Sequence, residues 1–390
     1  MKHPLPLDGL LVADFSRVLA GPLCTQLLGD SGARVVKVEE PGRGDETRRW
    51  GPPFVNGVSG YFLSVNRNKK SITLNLKSDE GREAATRLVA RADVVIDNFL
   101  PNQRLALRLP ENERAIRCTI GGFDSDTPDA NTPGYDLLAQ AGSGLMSITG
   151  DAAGEPAKVG VALADVLTAH HAYGAITAAL FARERTGRGA RLEISLFSAT
   201  LASLVNVSQA ALLTASEAKR WGNEHPSIVP YQLFHGSDRP FAVGAGTDRH
   251  YQQLCMQVLE RPDLARDDRF VTNAARVEHR AILVPILEAI FRRETAGHWM
   301  ARCKSAAVPV SLVQGVAEAL ATPAGRVLVT PVEHAEIGRY DSVGNPLRID
   351  GERLPIRLPP PRLGEHTDPI LRELGYDDAA IAELHRIKAI

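Results

Sequence analysis

Residues 10–22 read LLVADFSRVLAGP, and this stretch decides the fold that we predict for the chain. The apolar run Leu10–Phe15 predicts a buried strand, and Pro22–Gly29 predicts the helix that follows it. Gly21 and Pro22 between them allow a sharp turn and preset the backbone for a helix start. Free N–H groups at such a helix start favour an anion. A plain turn between a strand and a helix remains the alternative.

The same alternation of short apolar runs and amphipathic stretches continues to about residue 215. It predicts an α/β domain with a mostly parallel sheet covered by helices. Ligands of such sheets lie beyond the carboxyl ends of the strands. The later predicted strands are Arg34–Glu39, Ser71–Leu76, Ala92–Phe99, Ala115–Phe123 and Ala190–Phe197, and the later predicted helices are Asp79–Arg91, Gly134–Leu145, Leu163–Arg183 and Ser198–Ala215.

A change of pattern at Gly222–Pro230, which is rich in polar residues and proline, marks a domain boundary. A short strand pair, Tyr231–Phe234 and Phe241–Gly244, and then several helices follow it. We therefore predict a large domain over 1–221, a smaller α+β domain over 222–331 and a C-terminal segment over 332–390. The proline run Pro355–Pro361 in that segment is typical of an extended strap.

The composition excludes several classes of protein. The net charge of −1 gives no overall attraction to nucleic acid or to a membrane surface. No apolar run approaches the roughly 18 residues that span a bilayer, and the start of the chain lacks the apolar core of a secretory signal. Four widely spaced cysteines and the lack of a C-x-x-C pair indicate neither disulfides nor a metal site. We expect a cytoplasmic protein without nucleic-acid or membrane partners.

Basic residues recur at the ends of the predicted strands. Lys37 and Lys77 lie near the ends of the second and third strands, and residues 66–71 read NRNKKS. Guanidinium and ammonium groups with amide donors between them suit phosphate oxygens, whereas the alternative is a solvated turn. Their positions on successive strand-end loops favour a phosphate site that includes Lys37.

Asp165 follows an apolar segment and begins an alanine-rich helix. An aspartate in this position is most often an N-cap, which contributes about 1 kcal/mol. The alternative is a nucleophile for acyl exchange on a thioester. With an ordinary pKa of about 3.9, the carboxylate is already an anion at neutral pH and requires no general base.

Taken together, the motifs resemble the family III CoA-transferases over nearly the whole chain. Each motif is short, but their order and spacing along the chain are specific. The resemblance lies in residues 14–22, Val36–Glu39, Gly44-Asp45 with Arg48, Asn66–Ser71, Ala92–Val94, Asn98-Phe99, Pro133–Asp136, Asp165, Thr186–Gly189, Gly222–Pro226, Asp268–Phe270 and Gly364–Thr367.

This resemblance implies a doubly wound large domain built from both chain ends, with 332–390 returning to it. It also implies an interlocked homodimer. Asp165 matches the catalytic aspartate, which would pass through an anhydride and an aspartyl-CoA thioester as CoA moves from an acyl-CoA to a small carboxylic acid. The expected CoA contacts are Leu19, Ala20, Lys37, Leu74, Lys77, Asn98, Phe99 and Arg104, of which Lys37 comes from the basic set. The expected acyl-site residues are Trp50, Tyr61, Tyr135, Asp136, Gly244 and Gly246.

Some positions depart from the family pattern. Glu40 stands where some members have an arginine, residues 100–119 are shortened, and the loop Asp124–Thr132 is acidic. Two alternatives stay open, a racemase of 2-methylacyl-CoA on the same fold and a catalytically silent CoA-binding homologue. A racemase needs two acid–base groups, and Tyr135, with an ordinary pKa of about 10, stands where that branch has a histidine. The sequence does not identify the donor and acceptor acids, although family habit suggests succinyl-CoA as donor.

Overall fold

A computed structural model of the protein describes residues 4–390, and its largest sheet has six parallel strands. The spatial order is β3-β2-β1-β4-β5-β6, so the direction of winding reverses between β1 and β4. Every neighbouring pair in this sheet is parallel, which confirms the predicted α/β class. The strands are β1 (Leu11–Asp14), β2 (Arg34–Glu39), β3 (Lys69–Thr73), β4 (Val94–Asp97), β5 (Ile116–Gly121) and β6 (Ala190–Ser195).

Both faces of this sheet are buried, because successive side chains of a strand point to opposite faces. In β4, Val94 and Ile96 belong to one hydrophobic cluster and Val95 belongs to the other. The first cluster includes the helices Ala20–Asp30 and Leu163–Thr186, and the second includes Asp79–Arg91. Strands buried on both faces read as continuous apolar runs, which is the pattern of VVI at 94–96.

One predicted helix is broken. The apolar pattern predicts a single helix over Ser198–Ala215, but the structure has Leu196–Ala202 and Asn206–Thr214, with axes 79° apart. Val205, with φ of 44°, breaks the helix between them, and a β-branched residue gives no sequence signal for a left-handed backbone. Within residues 4–390 no single helix has the length and apolar character to cross a membrane, although this bent pair passes that test by length and composition.

The chain divides into two compact units. The first comprises residues 1–146, 158–216 and 323–390 and contains the six-stranded sheet. Its other helices are Gly60–Val65, Pro101–Leu107, Asp136–Gly142, Pro323–Arg326, Thr367–Glu373 and Asp378–Arg386, with a 3₁₀ turn at Glu46–Arg49. Its two-stranded ribbons are Phe54–Val55 with Val58–Ser59, Val329–His334 with Gly338–Val343, and Arg348–Ile349 with Glu352–Arg353.

The second unit comprises residues 147–157 and 217–322 and has a three-stranded antiparallel sheet. The strands are β7 (Tyr231–His235), β8 (Pro240–Gly244) and β9 (Val310–Leu312), in the order β9-β8-β7. Its bounds differ from the predicted 222–331, because residues 147–157 and 217–221 join it and 323–331 do not. Its helices are Asp248–Gln253, Leu254–Val258 (a π-helix), Pro262–Arg266, Asn273–Glu278, Arg280–Phe291, Ala296–Ser305 and Val316–Ala321, and a 3₁₀ turn, Met146–Ile148, lies at its boundary.

The C-terminal segment packs along β3, the edge strand of the large sheet. The N–H of His366 donates to the carbonyl oxygen of Ser71 (2.9 Å), and the N–H of Asn68 donates to that of Leu358 (3.0 Å). Since these bonds join residues nearly three hundred positions apart, the last part of the chain covers an edge that the first part leaves open.

Candidate active site

Asp165 lies in the first turn of the helix Leu163–Thr186 and does not cap it. The N-cap residue is Ala162, which has no side-chain cap bond. Asp136 instead serves this helix start, since its carboxylate accepts the N–H of Ala164 at 2.9 Å. The N-cap interpretation of Asp165 is therefore wrong, and its carboxylate is left for another role.

A cavity of about 260 Å³ opens beside Asp165 at the carboxyl ends of β1, β4, β5 and β6. Its position fits the rule for open α/β sheets, because β1 and β4 flank the point where the winding reverses. Several residues predicted from the sequence meet there. The cavity is lined by Asp165, Ala20, Asn98, Phe99, Arg104 and Tyr135, together with Arg17, Val18, Glu46, Gly122, Gly134 and Glu193.

The environment of Asp165 favours its protonated form. Burial raises the pKa of this carboxyl to about 7, and the negative charge of Asp136 adds to the rise. The backbone N–H of Ala20, which lies at the start of the first helix and in the wall of the same cavity, acts in the opposite direction and lowers the pKa. The expectation of an ordinary aspartate that is fully ionised at neutral pH is therefore wrong, because the fold withdraws the group from water.

Tyr61 shares the electrostatic surroundings of Asp165. Burial and then the charges of Asp165 and Asp136 raise the pKa of this phenol to about 12, so it keeps its proton at neutral pH. Its ring packs edge-on against Trp50, with centroids 5.3 Å apart. The structure thus brings Tyr61 and Asp136 close enough to Asp165 for their charges to interact, with Trp50 packed against Tyr61. Tyr135 is 59% exposed.

Two glycines that were not predicted as site residues shape the cavity wall. A Cβ atom on Gly134 would lie 2.2 Å from the Cα of Gly122, and one on Gly122 would lie 2.6 Å from the Cα of Gly134. The loops after β5 and before the helix Asp136–Gly142 therefore touch backbone to backbone. Gly-Gly at 121–122 and Pro-Gly at 133–134 were the available sequence signals, but they do not reveal that the two turns meet.

The sequence profile described as CoA-transferase family III matches residues 7–367. The chain belongs to CoA-transferase family III. It is similar to succinyl-CoA:glutarate CoA-transferase of Homo sapiens, with 40% identity over 98% of this chain and 90% of that protein. It is similar to acetyl-CoA:oxalate CoA-transferase of Acetobacter aceti, with 38% identity over 96% of this chain and 97% of that protein.

A solved structure agrees. A CAIB/BAIF family protein from Brucella suis matches with a TM-score of 0.84 and 38% identity, covering 95% of this chain and 100% of that chain. The resemblance seen in the sequence is therefore confirmed for the family and for the α/β fold.

Two of the CoA contacts expected for a family III chain are engaged in holding loops. The amide of Asn98 exchanges two hydrogen bonds with the backbone of Arg17: its Oδ1 accepts the N–H (3.1 Å) and its Nδ2 donates to the carbonyl (2.8 Å). Arg104 pairs with Asp97 (3.1 Å) and donates to the carbonyl oxygen of Phe99 (3.0 Å). Both residues also line the cavity, and each keeps N–H donors that these bonds do not use.

Lys37 does not fit the expected CoA contact. Its side chain is completely buried, with the ammonium 2.8 Å from the carboxylate of Asp45 and 2.9 Å from the carbonyl oxygen of Ser16. The expectation for Lys37 is therefore corrected, because its charge is already paired inside the protein. The side chain of Leu74 is likewise buried in the core, and those of Leu19 and Ala20 are nearly so, which leaves mainly backbone atoms of these three for a ligand.

The basic stretch 66–70 also differs from the phosphate site predicted from the sequence. Arg67 forms a buried pair with Asp30 (2.7 Å), and Lys69 forms one with Asp14 (3.3 Å). These cations neutralise internal carboxylates. Lys77 is different, since 83% of its side chain is exposed and its nearest carboxylate, Glu40, lies 3.7 Å away.

The remaining predicted acyl-site residues, Gly244 and Gly246, lie in the second unit. Gly244 ends β8 and packs against the ring of Tyr231, where a Cβ would come within 3.3 Å, whereas a Cβ on Gly246 would meet nothing within 4 Å. Their place in the acyl site stays a prediction. Among residues 4–390, no group of three or more His, Cys, Asp or Glu side chains could hold a metal ion.

Proposed function

We propose that this family III chain is a CoA-transferase that moves CoA from an acyl-CoA to a small carboxylic acid, with Asp165 as the nucleophile. The observation that carries the proposal is the position of Asp165. Its carboxyl lies at the wall of a cavity at the carboxyl ends of the strands, and Ala20 at the N-terminus of the first helix lines the same cavity. Such a site suits an anionic nucleophile and the oxyanions that it forms.

The reaction would run in four balanced steps. A carboxylate oxygen of Asp165 attacks the thioester carbon, giving a mixed anhydride and the CoA thiolate. The thiolate attacks the aspartyl carbonyl carbon, releasing the donor acid and leaving an aspartyl-CoA thioester. The acceptor carboxylate then attacks this thioester to give a second anhydride and thiolate. Finally the thiolate attacks the acyl carbon of the acceptor, which leaves as the new thioester and restores Asp165.

Each addition places negative charge on a carbonyl oxygen beside the start of the first helix. Ala20 lines the same cavity as Asp165 and its N–H lowers the pKa of that carboxyl, so this N–H is placed to stabilise the negative charge as the carboxyl becomes an acyl group. The partial positive charge of the helix N-terminus acts in the same direction. Because an anhydride hydrolyses readily, the burial that raises the pKa of Asp165 also protects the intermediates from water.

We place CoA along the strand-end loops after β1, β3 and β4. Asn98, Phe99 and Arg104 line the cavity, and Lys77 offers an exposed ammonium to a phosphate. The acyl group would lie toward Trp50, Tyr61, Tyr135 and Asp136. The exposed Lys77 replaces Lys37 as the candidate phosphate ligand from the basic set.

The acids that we propose are short dicarboxylates. Relatives are named for succinyl-CoA with glutarate and for acetyl-CoA with oxalate, and each is similar to nearly the whole of this chain. The cavity of about 260 Å³ is lined by Arg17 and Arg104. Their guanidinium groups pair with Glu46 (2.9 Å) and Asp97 (3.1 Å), and each keeps further N–H donors that can bind a carboxylate. A racemase is not favoured, since these relatives are named as CoA-transferases.

We further propose that the protein works in the cytoplasm as an interlocked homodimer. Five large apolar side chains of the first unit are more than 60% exposed, which is costly unless a partner covers them. They are Leu105, Phe181, Val205, Leu212 and Leu213. A second copy of the chain threaded through the first would bury them, and the oligomeric state in solution tests this part of the proposal.

The decisive experiment follows CoA with labelled thioesters. Wild-type protein is incubated with succinyl-CoA or acetyl-CoA and with glutarate or oxalate, and hydroxylamine is added to trap an aspartyl thioester. We expect new acyl-CoA in wild type and a hydroxamate at Asp165 by peptide mass spectrometry, with both lost in Asp165→Asn. Turnover that survives in Asp165→Asn would overturn the nucleophile, and exchange of the α-hydrogen without CoA transfer would overturn the transferase.

A further inference from the structure

The loop that follows β1 is fixed at three consecutive residues, each by a different part of the chain. The carbonyl oxygen of Ser16 accepts the ammonium of Lys37 (2.9 Å), and the backbone of Arg17 is bracketed by Asn98. The N–H of Val18 points at both carboxylate oxygens of Asp45, each 3.3 Å away. Such redundant anchoring of a short loop indicates that its conformation matters.

The loop adopts a conformation that it would not adopt alone. Val18 has φ of 73°, in the left-handed region that β-branched residues strongly avoid. A conformation of this kind persists only where the surroundings impose it. Two residues later, Ala20 lies with Val18 and Asp165 in the wall of the same cavity, and its backbone N–H lowers the pKa of that carboxyl. The unusual backbone of Val18 is thus the last bend before the helix start that faces the proposed nucleophile.

The buried side chains of Lys37 and Asp45 hold this bend from the interior of the protein. Their ion pair of 2.8 Å is completely buried, and the two groups contact the loop on either side of Arg17. Asp45 is oriented further by Thr47, whose hydroxyl donates to it at 2.7 Å. Although burial raises its pKa, the charge of Lys37 and the hydrogen bonds bring the pKa of Asp45 down to about 2, so the pair stays charged at neutral pH.

We propose that Lys37 and Asp45 are positioning residues for the reaction: as a buried ion pair they hold the Ser16–Val18 turn so that the Ala20 N–H stays aimed at Asp165. This proposal rests on the function proposed above. It also explains why Lys37, which lies inside β2 with its ammonium paired to Asp45, has no charge to offer a ligand. Displacing a preorganised group by about 1 Å can lower a rate a hundredfold, which sets the size of the expected effect.

The test compares two double variants that each neutralise a buried ion pair. Lys37→Met/Asp45→Asn removes the pair under the turn. The matched control, Arg67→Met/Asp30→Asn, removes a pair of similar length and burial at the opposite end of the first helix. Removing both partners avoids leaving one unpaired charge in the interior. Thermal midpoint, kcat, KM for both substrates and the pH profile of kcat/KM are measured for each.

We expect the Lys37/Asp45 variant to lose about ten- to a hundredfold in kcat with KM values within about threefold of wild type. The acid limb of its kcat/KM–pH profile should move to higher pH, because a displaced Ala20 N–H no longer lowers the pKa of Asp165. The control should lose thermal stability and keep both kcat and the acid limb. A structural role alone would lower the thermal midpoint in both variants and shift neither acid limb.

Unchanged kcat and acid limb in a folded Lys37/Asp45 variant would overturn the proposal, as would equal losses of kcat in both double variants. If Lys37→Met/Asp45→Asn does not fold, Asp45→Glu keeps the charge and displaces the carboxylate by one methylene, and wild-type kcat and pH profile in that variant would equally overturn it. The Asp165→Asn variant distinguishes a failure of the proposed function from a failure of the positioning role. Activity in that variant defeats the proposed function, whereas an inactive Asp165→Asn beside fully active Lys37/Asp45 variants defeats only the positioning role.

Discussion

Asp136 and Asp165 interact through their negative charges at the start of one helix, and the charge of the first helps to raise the pKa of the second to about 7. Asp136 also accepts the N–H of Ala164 and so stabilises the start of the helix Leu163–Thr186. The same carboxylate therefore supports that helix and raises the pKa of Asp165. A proposed nucleophile is thereby kept close to the midpoint of its titration at neutral pH. This relationship predicts how the reaction depends on pH.

The first prediction concerns the pH profile. Asp165 must be ionised to attack, so kcat/KM should rise with pH through about 7 in wild type. Asp136→Asn removes the neighbouring charge but keeps an oxygen for the Ala164 N–H, and the acid limb should move to lower pH. Asp136→Ala is the comparison, because it removes the charge and the helix contact together. An acid limb that stays in place in Asp136→Asn would show that another group titrates.

The second prediction concerns stability. The folded pKa of Asp165 lies above the ordinary value of 3.8, so the cost of its charge to the folded state grows from about pH 4 to about pH 7 and is complete above that. Asp165→Asn should therefore stabilise the protein by roughly 2–4 kcal/mol at pH 8. The gain should nearly vanish at pH 4. Urea unfolding at both pH values measures it, with the exposed Asp126→Asn as control. Stabilisation of equal size at pH 4 and pH 8 would contradict the pKa shift.

The third prediction concerns the contact between the two glycine turns. Gly134→Ala and Gly122→Ala each place a Cβ within 2.6 Å of backbone atoms of the other turn, so the turns must separate. We expect a loss of about 1–3 kcal/mol in stability and at least a tenfold fall in kcat/KM, because the cavity wall moves. Gly160→Ala is the control, since its Cβ would meet nothing within 4 Å. Normal kinetics in Gly134→Ala would show that this wall does not shape the site.

The fourth prediction separates the two strand-end lysines. Lys77→Ala should weaken acyl-CoA binding severalfold, more at low salt than at high salt, and leave the thermal midpoint unchanged because the side chain is exposed. Glu40→Gln should strengthen binding, since it removes a carboxylate 3.7 Å from that ammonium. Lys37→Ala should instead destabilise the fold by about 3–5 kcal/mol, because it leaves Asp45 buried and unpaired. Isothermal titration with CoA and thermal unfolding together distinguish these outcomes.

Local sequence patterns predicted much of this protein. The strand Arg34–Glu39 and the helix Asp79–Arg91 have the bounds read from the sequence, because each follows from a periodicity of a few residues. The family, and with it the candidate Asp165, followed from short motifs in a specific order. The helix break at Val205 was not predicted, since no residue there signals a left-handed backbone.

The sequence by itself determined the alternation of strands and helices, the family and the residue types available for chemistry. Only the tertiary structure decided which charges remain free and how acidic they are. Lys37 and Lys77 look equivalent at the ends of two strands, yet one is buried against Asp45 and the other is exposed. The physical reason is that burial and pairing depend on neighbours that only folding brings together. Folding brings Arg67 to Asp30, and it brings the N–H of Ala20 to Asp165.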